Sequence, residues 1–199
     1  IRFAAGDYLG MLFWMIATKS LPILVISLAG ATANAYFYLA WTIAFPLHLI
    51  ASNLATSLTV EGAIDEGQLG LYARRVFIQI LRLLAIPVLI ILLGAPLILK
   101  IFGADYAAQG PMLLRLLTLA ALPYSVNAIV LSLARVRNQI RLILAVQGGL
   151  CLLVISLSYT LLLGYTPTGL GLTGMGIAWL ASQSIVATLL LVRLRKSPQ

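Results

Sequence analysis

Six side chains carry charge or strong hydrogen-bonding groups inside stretches that are otherwise apolar: Lys19, His48, Asn53, Arg82, Arg115 and Asn127. Three are cations and none is a carboxylate, since Asp7 and Asp105 fall at the edges of such stretches. A site selecting cations would want a buried acid. These residues offer a buried base, which suits an anionic substrate.

Lys19 is the most demanding of the six. It stands 11 residues after Tyr8 and 10 before Ala29. At 1.5 Å per residue it is ~15 Å from either end of that apolar run, the centre of a ~30 Å hydrocarbon core. An ionised side chain there costs roughly 2.5–3.5 kcal/mol on insertion scales, and snorkelling recovers only part of the depth. Lys19 is therefore expected to face protein or a water-filled cavity. Pairing with a residue elsewhere in a longer chain, or a shifted helix that leaves the lysine shallower, are the plainer alternatives. Arg82 and Arg115 lie nearer their helix ends, where snorkelling explains them as well as a site does. Asn53 and Asn127 are of a type that more often bridges helices by hydrogen bonds than touches substrate.

Enzyme chemistry is poorly supplied. His48 is the only histidine, which excludes a two-histidine metal site. Beside Pro46 it also reads as a hydrogen-bonded core residue. Cys151 is the only cysteine, so neither an internal disulfide nor a cysteine metal cluster can form, and it reads as a small packing residue. Asp65 and Glu66 sit in a polar link where solvated carboxylates are ordinary. GLGLTG (169–174) matches the dinucleotide fingerprint G-x-G-x-x-G, but an apolar helix precedes it and no carboxylate follows Asp105. No enzyme activity, metal or cofactor is expected.

The elements that hold these residues follow from composition. The chain is 62% hydrophobic and 9% charged over 199 residues, against roughly a quarter charged in soluble domains. Runs such as LLAIPVLIILLGAPLIL (83–99) are apolar on every face, which disfavours an alternating β-barrel. An all-α, polytopic transmembrane bundle of six helices follows, forming one lobe over 1–199. The spans read as 8–29, 36–59, 76–99, 112–134, 142–163 and 175–192. Between them lie GATAN (30–34), EGAIDEGQLGLYARR (61–75), KIFGADYAAQGP (100–111), RVRNQIR (135–141) and GYTPTGLGLTG (164–174). Pro22, Pro46, Pro87 and Pro123 fall within helices and permit kinks. Gly174, Ala178 and Ser182 recur every four residues, giving the sixth helix a smooth face for close approach, and Gly148 and Gly149 suggest the same on the fifth.

Six crossings place both termini and two links on one side. That side collects Arg2, Arg74, Arg75, Arg135, Arg137, Arg141, Arg193, Arg195 and Lys196, with Arg82 just inside the membrane edge, while the other has Lys100. The positive-inside rule then makes both termini cytoplasmic, in a multi-pass protein of the cytoplasmic membrane. The net charge of +8 is thus a topology signal rather than a nucleic-acid footprint, with membrane lipids as compatible partners.

ANAYFYLAW (33–41), IFGADYAAQGPMLLRLL (101–117), LARVRNQIR (133–141) and GLGLTGMGIAWLASQ (169–183) together resemble the C-terminal lobe of the multidrug/oligosaccharidyl-lipid/polysaccharide exporter superfamily, of the polysaccharide and O-antigen flippase type. The resemblance implies two six-helix lobes around a cationic cavity and alternating access. It implies a polyprenyl-diphosphate-linked oligosaccharide as substrate and an N-terminal lobe of the same protein as partner. Lys19 would supply a point charge for the diphosphate. A drug or cation antiporter of the same superfamily, and a membrane scaffold or assembly subunit without transport, are the alternatives.

Overall fold

The computed structural model describes residues 2–64, 68–163 and 170–196, with the side chains of Arg2, residues 61–64 and Lys196 outside the description. Every described element is helical. The first helical run, Arg2–Ile64, contains a single non-helical residue, Gly30, at φ 88° and ψ 174°. A side chain is strained at such a φ, and glycine is not. The chain reverses there. Trp14 and Trp41 stand on opposite arms, yet both rings lie within 6 Å of the Trp179 ring, at 5.7 and 4.9 Å. We label the arms α1 (2–29) and α2 (31–64). GATAN, expected as a five-residue turn, is reduced to that one glycine, and helix runs on through its other residues.

The remaining helices are α3 (Leu69–Lys100), the short α4 (Ala104–Gln109), α5 (Pro111–Leu119), α6 (Ala121–Val136), α7 (Ile140–Leu163) and α8 (Thr173–Lys196). The expected fourth span is divided at Ala120. Pro123 lacks the N–H that would bond the Leu119 carbonyl, and the ladder loosens at that point. The 61–75 link is shorter than expected, because α2 extends to Ile64 and α3 starts at Leu69. The acids Asp65 and Glu66, Glu61 as a side chain, residues 164–169 of the glycine-rich entry and the tail 197–199 lie outside the described residues.

Five helices are long and apolar enough to cross a membrane, and the longest, Phe3–Val60, is the one folded double at Gly30. The protein is a multi-pass membrane protein with six helical arms. Its two ends are set by packing. Phe3, Ala134, Ile143 and Leu190 join one apolar cluster, bringing the start of α1, the end of α6, the start of α7 and the end of α8 together. At the other end Tyr36 meets Tyr106 edge-on at 4.9 Å. The exposed Arg74, Arg75, Arg137, Arg141, Arg193 and Arg195 sit at the first end and Lys100 at the second.

Small residues set the closest approaches. Gly174, Ala178 and Ser182 are buried as expected, and a Cβ at Gly174 would lie 3.3 Å from Leu161. Gly148 faces Phe13 of α1, whereas Gly149 has nothing within 4 Å. The tightest contact involves a pair not anticipated. A Cβ on Gly6 would run into the Ile140 side chain and one on Gly10 would fall 3.0 Å from Ile143, so α1 and α7 approach where neither glycine has a side chain. GDYLG (6–10) is a G-x-x-x-G pattern, the signal that would have found it.

Candidate functional site

The six residues do not converge on one cavity. Lys19 is exposed and lines a groove of ≈380 Å³ between α1 and α2, with Thr18, Pro22, Tyr38, Trp41, Thr42, Phe45 and Pro46. Among the described residues it has no ion-pair partner. One wall of this groove is aromatic, with Phe37 stacked on Trp41 at 5.9 Å and Trp41 on Phe45 at 5.5 Å.

Asn53 is exposed one helical face along from that groove, on the stripe of α2 that also presents Tyr38, Thr42, Pro46, Leu49 and Thr56. The hydroxyls of Thr42 and Thr56 donate to the carbonyls of Tyr38 and Ser52, both at 2.8 Å. Such threonines are self-satisfied and tolerate lipid. Lys19 and Asn53 are not, so they set the character of this face. The outer face of α3 is the contrast: Leu83, Ile86, Leu89, Ile90, Leu93 and Leu97 are all exposed and all apolar. The α1–α2 hairpin also exposes apolar residues, among them Met15, Ile16, Ile23 and Ile26, and differs from this stretch of α3 in carrying Lys19 and Asn53 among them.

His48 and Asn127 are structural in their geometry. His48 is 2% exposed, and its Nε2 accepts the Trp179 Nε1–H at 3.1 Å. Because indole only donates, Nε2 is the unprotonated nitrogen and the proton of the neutral ring sits on Nδ1. Nδ1 faces the Ala44 carbonyl one turn back without a well-formed hydrogen bond. Asn127 is fully buried and donates Nδ2 to the Gln183 carbonyl at 3.1 Å and to its Oε1 at 2.9 Å, tying α6 to α8.

The two arginines part company. Arg115 is half-buried and donates its Nε–H to the Leu92 carbonyl of α3 at 2.8 Å. It also lines a polar hollow of ≈630 Å³ near the Gly30 end, with Tyr36, Asp105, Gln109 and Thr173. Arg82 is exposed and lies along a shallow groove of α3 with Arg75, Ile78 and Gln79, facing outward rather than into an interior.

A further cavity was not anticipated. It lies between α1, α2, α6 and α7, with a volume of ≈370 Å³. Asp7, Trp14, Ser52, Tyr124, Asn127, Arg135 and Gln147 are among its walls. The Arg135 Nε–H donates to Asp7 Oδ1 at 2.9 Å across 128 residues of sequence. This pair closes the cavity at the end where the basic residues collect.

No group of three or more histidines, cysteines or acids that could hold a metal exists among the described residues. Comparison of the chain with protein-family models, with curated proteins and with solved structures gives no match.

Proposed function

We propose that the outer face of α1 and α2 lines the aqueous path of a transporter, and that the protein is one lobe of a flippase for polyprenyl-diphosphate-linked oligosaccharide. The observation that carries this reading is Lys19. It is an exposed cation midway along a membrane helix, with no ion-pair partner among the described residues, in a groove that also carries the hydroxyls of Thr18 and Thr42. Held in lipid, that charge costs several kcal/mol. Held in a water-filled cavity it costs little and gives a phosphate a point charge.

On this reading a second lobe, N-terminal in the same protein, faces α1 and α2 across the cavity, and the two rock to alternate access. The basic end is cytoplasmic by the positive-inside rule. The lysine binds the diphosphate, the aromatic wall of Trp41 and Phe45 borders the path, and membrane lipids surround α3.

The test is mass spectrometry of lipids co-purifying with the full-length protein, wild type against Lys19→Met. A polyprenyl-diphosphate sugar held by wild type and lost from the variant is the expected result. Equal retention returns Lys19 to a structural role while keeping the flippase. Absence of such a lipid from both, under gentle extraction, rejects the flippase and favours an antiporter or scaffold.

A further inference from the structure

The cavity closed by Asp7 and Arg135 differs in chemistry from the Lys19 groove. Its ≈370 Å³ lies near the lower end of the ~300–1,000 Å³ of small-molecule sites. Trp14 and Tyr124 form an aromatic corner, ring centroids 5.2 Å apart and planes inclined at 33°. Ser52, Thr56 and Ser132 add hydroxyls. Met11 and Thr56 are exposed and form its mouth.

Its most informative atoms are acceptors without donors. Asn127 is fully buried and Gln147 is 6% exposed, and both line the cavity. Asn127 spends its amide nitrogen on Gln183 and leaves Oδ1 unpartnered, and Gln147 Oε1 and Thr59 Oγ1 are unpartnered too. A buried acceptor left unmet costs about 1–3 kcal/mol. The cavity therefore calls for a molecule that brings O–H or N–H donors to several points while laying an apolar face on two rings.

We propose that this cavity binds one sugar ring. A hexopyranose has the required division, with C–H faces for Trp14 and Tyr124 and hydroxyl edges for Asn127 Oδ1, Gln147 Oε1 and Thr59 Oγ1. A lipid tail leaves those acceptors unmet. A small anion meets the Asp7 carboxylate beside the Arg135 guanidinium, and a cation finds that carboxylate neutralised by Arg135.

The cavity is also in series with the Lys19 groove. Asp7, Met11, Trp14, Thr18 and Pro22 fall on one stripe of α1, the first three walling the cavity and the last two the groove. Ser52, Thr56 and Thr59 likewise continue the α2 stripe of Tyr38, Trp41 and Phe45. Trp14 and Lys19 are five residues apart, ~7.5 Å along the helix and about 140° around it, so the cavity and the groove adjoin end to end along the Trp14–Thr18–Pro22 stripe while Lys19 stands on the exposed side of the groove. The inference rests on the flippase reading for the source of its sugar.

The experiment uses the full-length protein in detergent micelles and free, lipid-less sugars: glucose, galactose, N-acetylglucosamine and glucuronic acid. Binding is read by saturation-transfer NMR. At least one sugar is expected to bind saturably, with Gln147→Leu and Trp14→Leu each weakening it about tenfold. Gln147→Leu removes an unmet acceptor from an apolar setting, so its fold is expected to survive, and thermal unfolding verifies this for each variant. Absence of saturable binding to folded wild type overturns the proposal, as does equal binding by wild type and Gln147→Leu. A protein that retains lipid-linked oligosaccharide yet binds no free sugar loses the cavity assignment and keeps the flippase. One that binds sugar but no such lipid does the reverse.

Discussion

Arg115 donates its Nε–H to the Leu92 carbonyl at 2.8 Å, and that carbonyl is the one whose own helical donor, at position 96, is a proline. In a helix the N–H of residue i+4 would bond it. Pro96 has none, and in lipid no water replaces it. An arginine from α5 fills the gap and fastens α5 to α3. Arg115→Leu is expected to cost about 1–3 kcal/mol by orphaning the carbonyl. Pro96→Ala restores a backbone donor and should recover much of that loss in the double variant. Thermal unfolding in micelles of the single and double variants measures the coupling, and additive losses would mean that Pro96 and Arg115 act separately.

The His48–Trp179 bond predicts a similar coupling deeper in the bundle. Trp179→Phe removes the donor to His48 Nε2 and leaves a buried acceptor. His48→Leu removes the acceptor itself. The double variant should be less destabilised than the sum of the singles, by about 0.5–3 kcal/mol. The readout is a double-mutant cycle of unfolding free energies.

Exposure of Lys19 to water can be tested by thiol labelling. Position 19 and position 86 lie near the middle of α1 and α3, and Ile86 is 69% exposed on the apolar outer face. A thiol reacts as thiolate, which forms only where water reaches it. Lys19→Cys in membranes should react with a water-soluble maleimide and Ile86→Cys should not, with the buried Cys151 contributing little. Silence at both positions would place α1 against lipid or protein.

Glycines of opposite surroundings should respond with opposite sign. Gly6→Val drives a side chain into Ile140 and is expected to cost about 1–3 kcal/mol. Gly149→Ala, in mid-helix with nothing within 4 Å, should stabilise by about 0.4–1 kcal/mol. Melting temperatures of the two variants should move in opposite directions.

The spans were legible because their signal is local: twenty apolar residues between polar breaks identify a crossing wherever they fall. What was not legible depends on partners far along the chain. EGAIDEGQLGLYARR (61–75) is polar in composition, yet at both ends it continues the flanking helices, since polar residues also form helix where a span emerges. The depth and charge of Lys19 could be read from one helix. That His48 would meet Trp179, 131 residues on, or Asp7 meet Arg135, could not. The cavity at Trp14 was invisible for that reason, since its walls come from four helices and no two of them adjoin it through a shared motif.

The reversal at Gly30 also bears on how the protein is made. A one-residue bend leaves no loop that can wait in water on the far side while one arm is already in the bilayer. The two arms must enter the membrane as a pair, and neither is a strong span alone, one carrying Lys19 and the other His48 and Asn53. α2 contributes nine leucine, isoleucine and phenylalanine residues between 36 and 59, each favouring insertion by about 0.3–0.6 kcal/mol at mid-depth. That sum offsets the single lysine during insertion. The hydrogen-bond partner of His48 is then still unsynthesised, so the hairpin resides in the bilayer incomplete until α8 arrives.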